Sequence, residues 1–268
     1  MESEASEEEL AGRIEDYVLE EENFGIDPRV FAVLDDPDSS KAAIAGTEKM
    51  VDAKIALRLR SMAKSAYYGL PSRSRAVDFY DVILALGMQP AKVFIIAMAL
   101  FSRLDAAHKH LEVESFAIAV FARLIAEAMA MNDAARERAE LGGLFLQLGR
   151  VIIAMYQSSR HAEIDPGFVE RHHRRFALRI IEKFALPEFL AEMAAEDRLV
   201  LARRSFGASG AVKLAQCLVQ RVLQDYGVLE IKSPMPEVAD NLDATPGSRI
   251  SDYFQMIGLG RFVRIVPA

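Results

Sequence analysis

The sequence predicts an all-α protein, and three observations carry the prediction. Apolar residues recur with the 3.6-residue period of a helix. Gly (15) and Pro (10) are sparse in a chain of 268 residues, which disfavours a turn-rich β fold. No break between residues 24 and 230 is polar enough to be a domain linker.

Each element follows from local pattern. The first 23 residues carry ten acids against Arg13, so this leader repels itself and is expected to be partly mobile, with a helix from Glu7 to Glu22. Helices are expected at about 27–34, 39–50, 52–64 and 75–86, with Ser39 or Ser40 able to cap the second. Gly87-Met-Gln-Pro90 reads as a stop and restart, because Pro suits a first helical turn. The helix from Pro90 to Leu104 is apolar nearly all round and is expected to be buried. Val113, Phe116, Ala117, Val120, Phe121, Leu124, Ile125 and Ala128 form one stripe, with Glu112, Glu114, Arg123 and Glu127 on other faces. Further helices are expected at 133–157, capped by Asp133, and at 166–184 and 187–198. A last stripe runs from Val212 to Leu223, with Cys217 inside it as a core thiol. The pattern then weakens: residues 231–268 read as a loop and a short helix, with an alternating end at Arg261–Val266 that also suits a strand.

Composition narrows function. The chain is 51% hydrophobic and 26% charged, ordinary for a globular protein. Its net charge is −7, all of it in the leader; the body is close to neutral, which disfavours nucleic acid as a partner. The start is acidic, unlike a signal peptide, and Val93–Phe101 is too short to span a bilayer. With one cysteine, no internal disulfide can form, and the expected location is cytoplasmic with no membrane partner. No phosphate-cradling P-loop, nucleophile elbow, zinc array or EF-hand loop occurs.

Three segments carry a resemblance. Ser65-Ala66-Tyr67-Tyr68-Gly69, followed by Leu86-Gly87, is similar to the "NSAYYG … LG" run of the HDOD family, with Lys64 where Asn is usual. Gly143-Leu-Phe-Leu-Gln-Leu-Gly-Arg-Val-Ile-Ile-Ala154 resembles that family's "GLLHDIGKLVLA". The stretch from His173 to Pro187 resembles "HxxVGAxLLxxWxLP". The three occur in the family's order and spacing. The resemblance implies an all-α, HD-domain-like multi-helix bundle in two helical lobes, at 24–108 and 109–230, and a role in bacterial signal transduction.

The same resemblance allows the HD metal site to be checked position by position. HD enzymes hold metal through His and Asp side chains, and the metal generates the hydrolytic nucleophile. The helix at 113–130, which usually supplies the first His, has none; Ile118–Phe121 occupies the expected region. The His-Asp pair aligns with Leu146-Gln147, neither a strong ligand for a hard cation. The family Lys aligns with Arg150, a family His with His173, and a later His pair with Glu196-Asp197. Any metal would therefore rest on His173, Glu196 and Asp197. The alternative is a charge cluster in which His173, Arg174 and Arg175 face those two acids.

The run Glu170–Arg175 is the densest basic stretch. It suits an anion: phosphate, nucleotide, or the acidic leader itself. Tyr67 and Tyr68, among Arg60, Lys64, Arg73 and Arg75, suit a groove edge or simple packing. The expected function is a non-catalytic signalling module without a cofactor, binding a partner protein or a small anionic ligand. An altered phosphohydrolase and a nucleic-acid binder using the 171–175 run are the alternatives, and a homodimer stays open.

Overall fold

The structure, a computed structural model, describes residues 2–20, 24–64, 78–195 and 207–225. Every regular element among them is helical: α1 Glu2–Leu19, α2 Pro28–Asp35, α3 Lys41–Gly46, α4 Ala53–Ala63, α5 Phe79–Leu86, α6 Met88–Ser102, α7 His110–Ala128, α8 Asp133–Phe145, α9 Leu148–Arg160, α10 Pro166–Lys183, α11 Glu188–Ala195 and α12 Ala208–Asp225, with a 3-10 turn at Thr47–Met50. The expected C-terminal loop, short helix and Arg261–Val266 segment lie outside the described residues, as do Tyr67 and Tyr68.

Local chemistry sets the helix ends. Ser40 accepts a hydrogen bond from the Ala43 amide, and Asp27, Asp52, Asp78 and Asp165 cap α2, α4, α5 and α10 in the same way. The cap of α8 is Asn132, one residue before the Asp133 expected, since its side chain can reach the Ala135 amide. Gly87 ends α5 at a φ of 87°, a conformation open to glycine without strain. The expected helix at 133–157 is two helices, α8 and α9, interrupted at Leu146–Gln147.

The described residues of Met1–Gly25 and Leu100–Gln216 form one compact unit, and those of Ile26–Ala99 and Cys217–Ala268 the other. The expected division near residue 108 is thus displaced. It falls inside α6, where residues 90–101 are all buried and no polar break marks it. Cys217 is only half-buried.

The leader differs most from expectation. It is helical from Glu2, and its stripe of Ala11, Ile14, Tyr17 and Val18 is buried. Burying that stripe offsets the self-repulsion of the acids, which sit on the remaining faces or in ion pairs. Tyr17 meets Tyr156 of α9 edge-on at 5.6 Å, and Phe24 meets Phe184 edge-on at 5.4 Å.

Within the same unit, two glycines allow helices to approach backbone to backbone. A Cβ at Gly143 of α8 would lie 2.7 Å from the Ala119 Cα of α7. A Cβ at Gly149 of α9 would overlap the His173 carbonyl oxygen of α10. In the other unit, Lys92 of α6 is fully buried; its Nζ reaches both carboxylate oxygens of Asp35 on α2, at 2.7 and 2.8 Å. The Phe31 ring lies beside it at 5.7 Å.

Two stability predictions follow from these contacts. Gly149→Ala should destabilise the protein by about 1–3 kcal/mol in urea unfolding, because α10 must shift to admit the methyl. Lys92→Ala should cost about 1–3 kcal/mol, whereas Lys92→Met should stay within about 1 kcal/mol, since Asp35 remains partly solvated and the aliphatic volume is kept.

Candidate functional site

Leu146 and Gln147 occupy the turn between α8 and α9, and Gln147 is buried. A buried amide needs partners. The Gln147 Nε2 donates to the Glu114 Oε1 of α7 at 2.8 Å, and Glu114 is itself buried. Residues 111–120 of α7 are buried on every side, so the faces other than the apolar stripe, where Glu112 and Glu114 lie, are enclosed as well. Each is accommodated by a partner: Glu112 lies 2.7 Å from the Lys109 ammonium, and Glu114 takes the Gln147 amide. The α7 residue that meets the His-Asp position is therefore Glu114, a turn earlier than the Ile118–Phe121 region. Its signal in the sequence was present: Glu112 and Glu114 are the only charges in the run from Leu111 to Ala122. A charge inside an all-round apolar helix demands a specific partner.

The Gly149 contact brings α10 against α9 at His173. The His173 imidazole is held well below its ordinary value, to about 4, first by burial and then by the positive charges of Arg150, Arg174 and Lys213. It is neutral at pH 7 in an electropositive setting. Arg150 pairs with Glu170 at 2.7 Å, while its buried Nε has no hydrogen-bond partner among the described residues. Of the residues singled out in the sequence, the structure thus brings together Arg150, His173 and Arg174. It adds Lys213, which the sequence reading did not single out; Glu196 and Asp197 lie outside the described residues.

Arg175 belongs elsewhere. Adjacent helix positions point about 100° apart, so the basic run divides between two surroundings. Arg171, Arg175, Arg179 and Lys183 recur every four residues and share one face of α10, and each meets α1. Arg171 pairs with Glu7 at 2.5 Å. Arg175 pairs with Glu8 and with Glu15, both at 2.7 Å. Arg179 reaches Glu15 at 3.4 Å. Lys183 donates to the Val18 and Leu19 carbonyl oxygens at 2.7 and 2.9 Å, where the end of α1 exposes unpaired acceptors. His172 stacks on Phe168 at 4.4 Å and places its Nε2 3.5 Å from Glu7. The Glu7 and Glu15 carboxyls are lowered, chiefly by their hydrogen bonds to Arg171 and Arg175 respectively.

Among the described residues, no three His, Cys, Asp or Glu side chains converge. At the His-Asp position Leu146 offers no donor, and the Gln147 amide directs its N–H at the carboxylate of Glu114. The His173 ring sits among cations that repel a divalent ion. These described side chains do not fit a divalent metal centre.

With this geometry in place, comparison with known proteins assigns the class. The HDOD domain family model matches residues 28–198, and the chain belongs to the HDOD family. Three solved structures share the fold. An HDOD domain protein of unknown function from Geobacter sulfurreducens is 18% identical over 87% of this chain and 80% of its own, with a TM-score of 0.52. A candidate metal-dependent phosphohydrolase from Shewanella amazonensis SB2B is 17% identical over 87% and 89%, with a TM-score of 0.54. A candidate signal transduction protein from Marinobacter aquaeolei VT8 is 16% identical over 87% of this chain and 58% of its own, with a TM-score of 0.51. Among curated proteins, none matches the chain.

The lowered His173 has a consequence for stability. The unfolded chain binds its proton near pH 6.5, whereas the folded chain does so only near pH 4. The contribution is complete above pH 6.5 and is lost as pH falls toward 4. His173→Gln should flatten that part of the profile of melting temperature against pH. Separately, Gln147→Leu should destabilise the protein by about 1–3 kcal/mol in urea unfolding, by removing a donor from a buried carboxylate.

Proposed function

We propose that this HDOD protein is a signal-transduction module that acts by binding rather than by hydrolysis. The observation that carries the reading is the Gln147–Glu114 hydrogen bond at the position of the family's His-Asp pair. An amide–carboxylate contact ties α7 to the α8–α9 turn and uses groups that would otherwise face a cation. Hydrolysis of a phosphoester by an HD-type site needs a metal-activated water. Among the described residues, no group of three His, Cys, Asp or Glu side chains is placed to hold such a metal, which supports the reading.

What the same region supplies is a positive field. Arg150, which also pairs with Glu170, acts with Arg174 and Lys213 as positive charge on the neutral His173, and this suits a small anionic ligand or an acidic group of a partner protein. The near-neutral body argues against a nucleic-acid partner, since a polyanion is held by a broad basic surface. A cytoplasmic setting suits a chain whose single cysteine cannot form an internal disulfide.

The test is elemental analysis of protein purified without chelator and incubated with Mn²⁺, Fe²⁺ or Mg²⁺, alongside a phosphodiester and nucleotide hydrolysis screen. The expected result is near-zero metal per chain and turnover no greater than that of a His173→Ala variant. One tightly held metal per chain, lost together with turnover in that variant, would overturn the reading and establish an altered phosphohydrolase.

A further inference from the structure

The contact between α1 and α10 has the composition of a recognition interface. Its receptor side is a stripe of four cations at four-residue spacing, Arg171, Arg175, Arg179 and Lys183, beside the aromatic edge of Tyr156. Successive members of such a stripe lie about 6 Å apart along the helix, so they repel one another unless an anion covers them. The covering element is an acidic amphipathic helix. Ala11, Ile14, Tyr17 and Val18 are buried, Glu7, Glu8 and Glu15 meet the guanidinium groups, and the carbonyl end meets Lys183. Residue numbers rise together along the two helices, from Glu7 at Arg171 to Val18 at Lys183, so α1 lies parallel to α10 with each group in register. This is helix-in-groove recognition with the ligand supplied by the same chain.

A second observation bears on how firmly α1 is held. Gly12 stands at its middle, and a Cβ there would meet nothing within 4 Å. No close approach requires the glycine, and alanine at such a position favours the helix by about fivefold. The ion pairs are also partly solvated: the Arg171, Arg175 and Arg179 side chains are 53%, 37% and 42% exposed. Attraction in that setting weakens with salt. Thus α1 fits its groove with matched charge, yet its own helix is weaker than the fold demands.

We propose that the groove on α9 and α10, filled in cis by α1, is the docking site for an acidic amphipathic helix of a signalling partner that exchanges with α1. The proposal rests on the reading of this chain as a binding module and names the partner's chemistry. A bare phosphate would satisfy the cations but leave the apolar face beneath Ile14 and Val18 open. An amphipathic helix covers both, as α1 does. While α1 is seated, a partner sees only the fraction of molecules in which the groove is open, so its apparent affinity falls by that fraction.

The experiment uses the full chain and a fluorescent peptide with the sequence of residues 2–20. A charge-reversed variant, Glu7→Lys with Glu8→Lys and Glu15→Lys, loosens α1 and leaves α10 intact. The peptide should bind this variant about tenfold more tightly than it binds wild type. Adding Arg175→Glu should abolish the gain, as should raising salt from about 0.05 to about 0.5 M. Equal affinity for wild type and the variant, or no binding to either, overturns the proposal. So does concentration-dependent dimerisation in place of peptide capture, which would assign the groove to α1 of a second copy. Hydrogen exchange on wild type keeps the test open should the variant fail to fold. The amides of α1 should exchange at least about tenfold faster than those of α10, and Gly12→Ala should slow them. Equal protection of the two helices would make α1 a fixed part of the core. Neither failure touches the non-catalytic reading, which the metal and turnover measurements decide on their own.

Discussion

The approach of α9 to α10 at Gly149 governs what the rest of the first unit can do. A helix pair normally stands 8–10 Å apart because side chains separate the backbones. At Gly149 nothing intervenes, and the His173 carbonyl fills the space a Cβ would occupy. His173 is thereby fixed beside α9, within the field of Arg150, and its ring cannot hold a proton at neutral pH. The same register sets the opposite side of α10: with His173 turned toward Arg150, Arg174 and Lys213, the positions two before and two after it face α1.

This division explains how one short basic run serves two surroundings. Arg150 and Arg174 act on His173 as positive charges. Arg171 and Arg175 belong to a stripe whose anions come from the leader. The acidic leader and the basic run are 164 residues apart in the chain for their first ion pair, yet their charges and apolar positions match turn by turn. The −7 net charge of the whole protein therefore hides an internal neutralisation, since part of the leader's charge is already spent on α10.

The position that resembles the family's His-Asp pair holds an amide set against a carboxylate. The α8–α9 turn points the Gln147 side chain at α7, where its amide donates to Glu114. A hydrogen bond of this kind locks two helices together in low dielectric. It offers a mechanical link between α7 and the α8–α9 turn.

Helix content and most helix positions were legible in the sequence because they depend on short-range periodicity and capping. The stripe of α7 and the stop at Gly87 are examples, and the alignment of Leu146-Gln147 with the His-Asp pair came from local motifs as well. What the sequence could not decide depended on contacts between distant segments. The burial of Glu112 and Glu114 needed α7 to be enclosed on all sides, which no periodicity in α7 alone reports. The leader read as a mobile acidic extension because charge repulsion is visible locally, whereas the cations that offset it lie on α10. The break at Leu146–Gln147 and the unit boundary inside α6 are likewise settled by packing, where apolar sequence is continuous and only the neighbours differ. The sequence by itself determined the helical class and most helix positions, because these rest on short-range periodicity. Tertiary structure alone decided which charges meet, because pairing energy depends on distance and burial rather than on order along the chain.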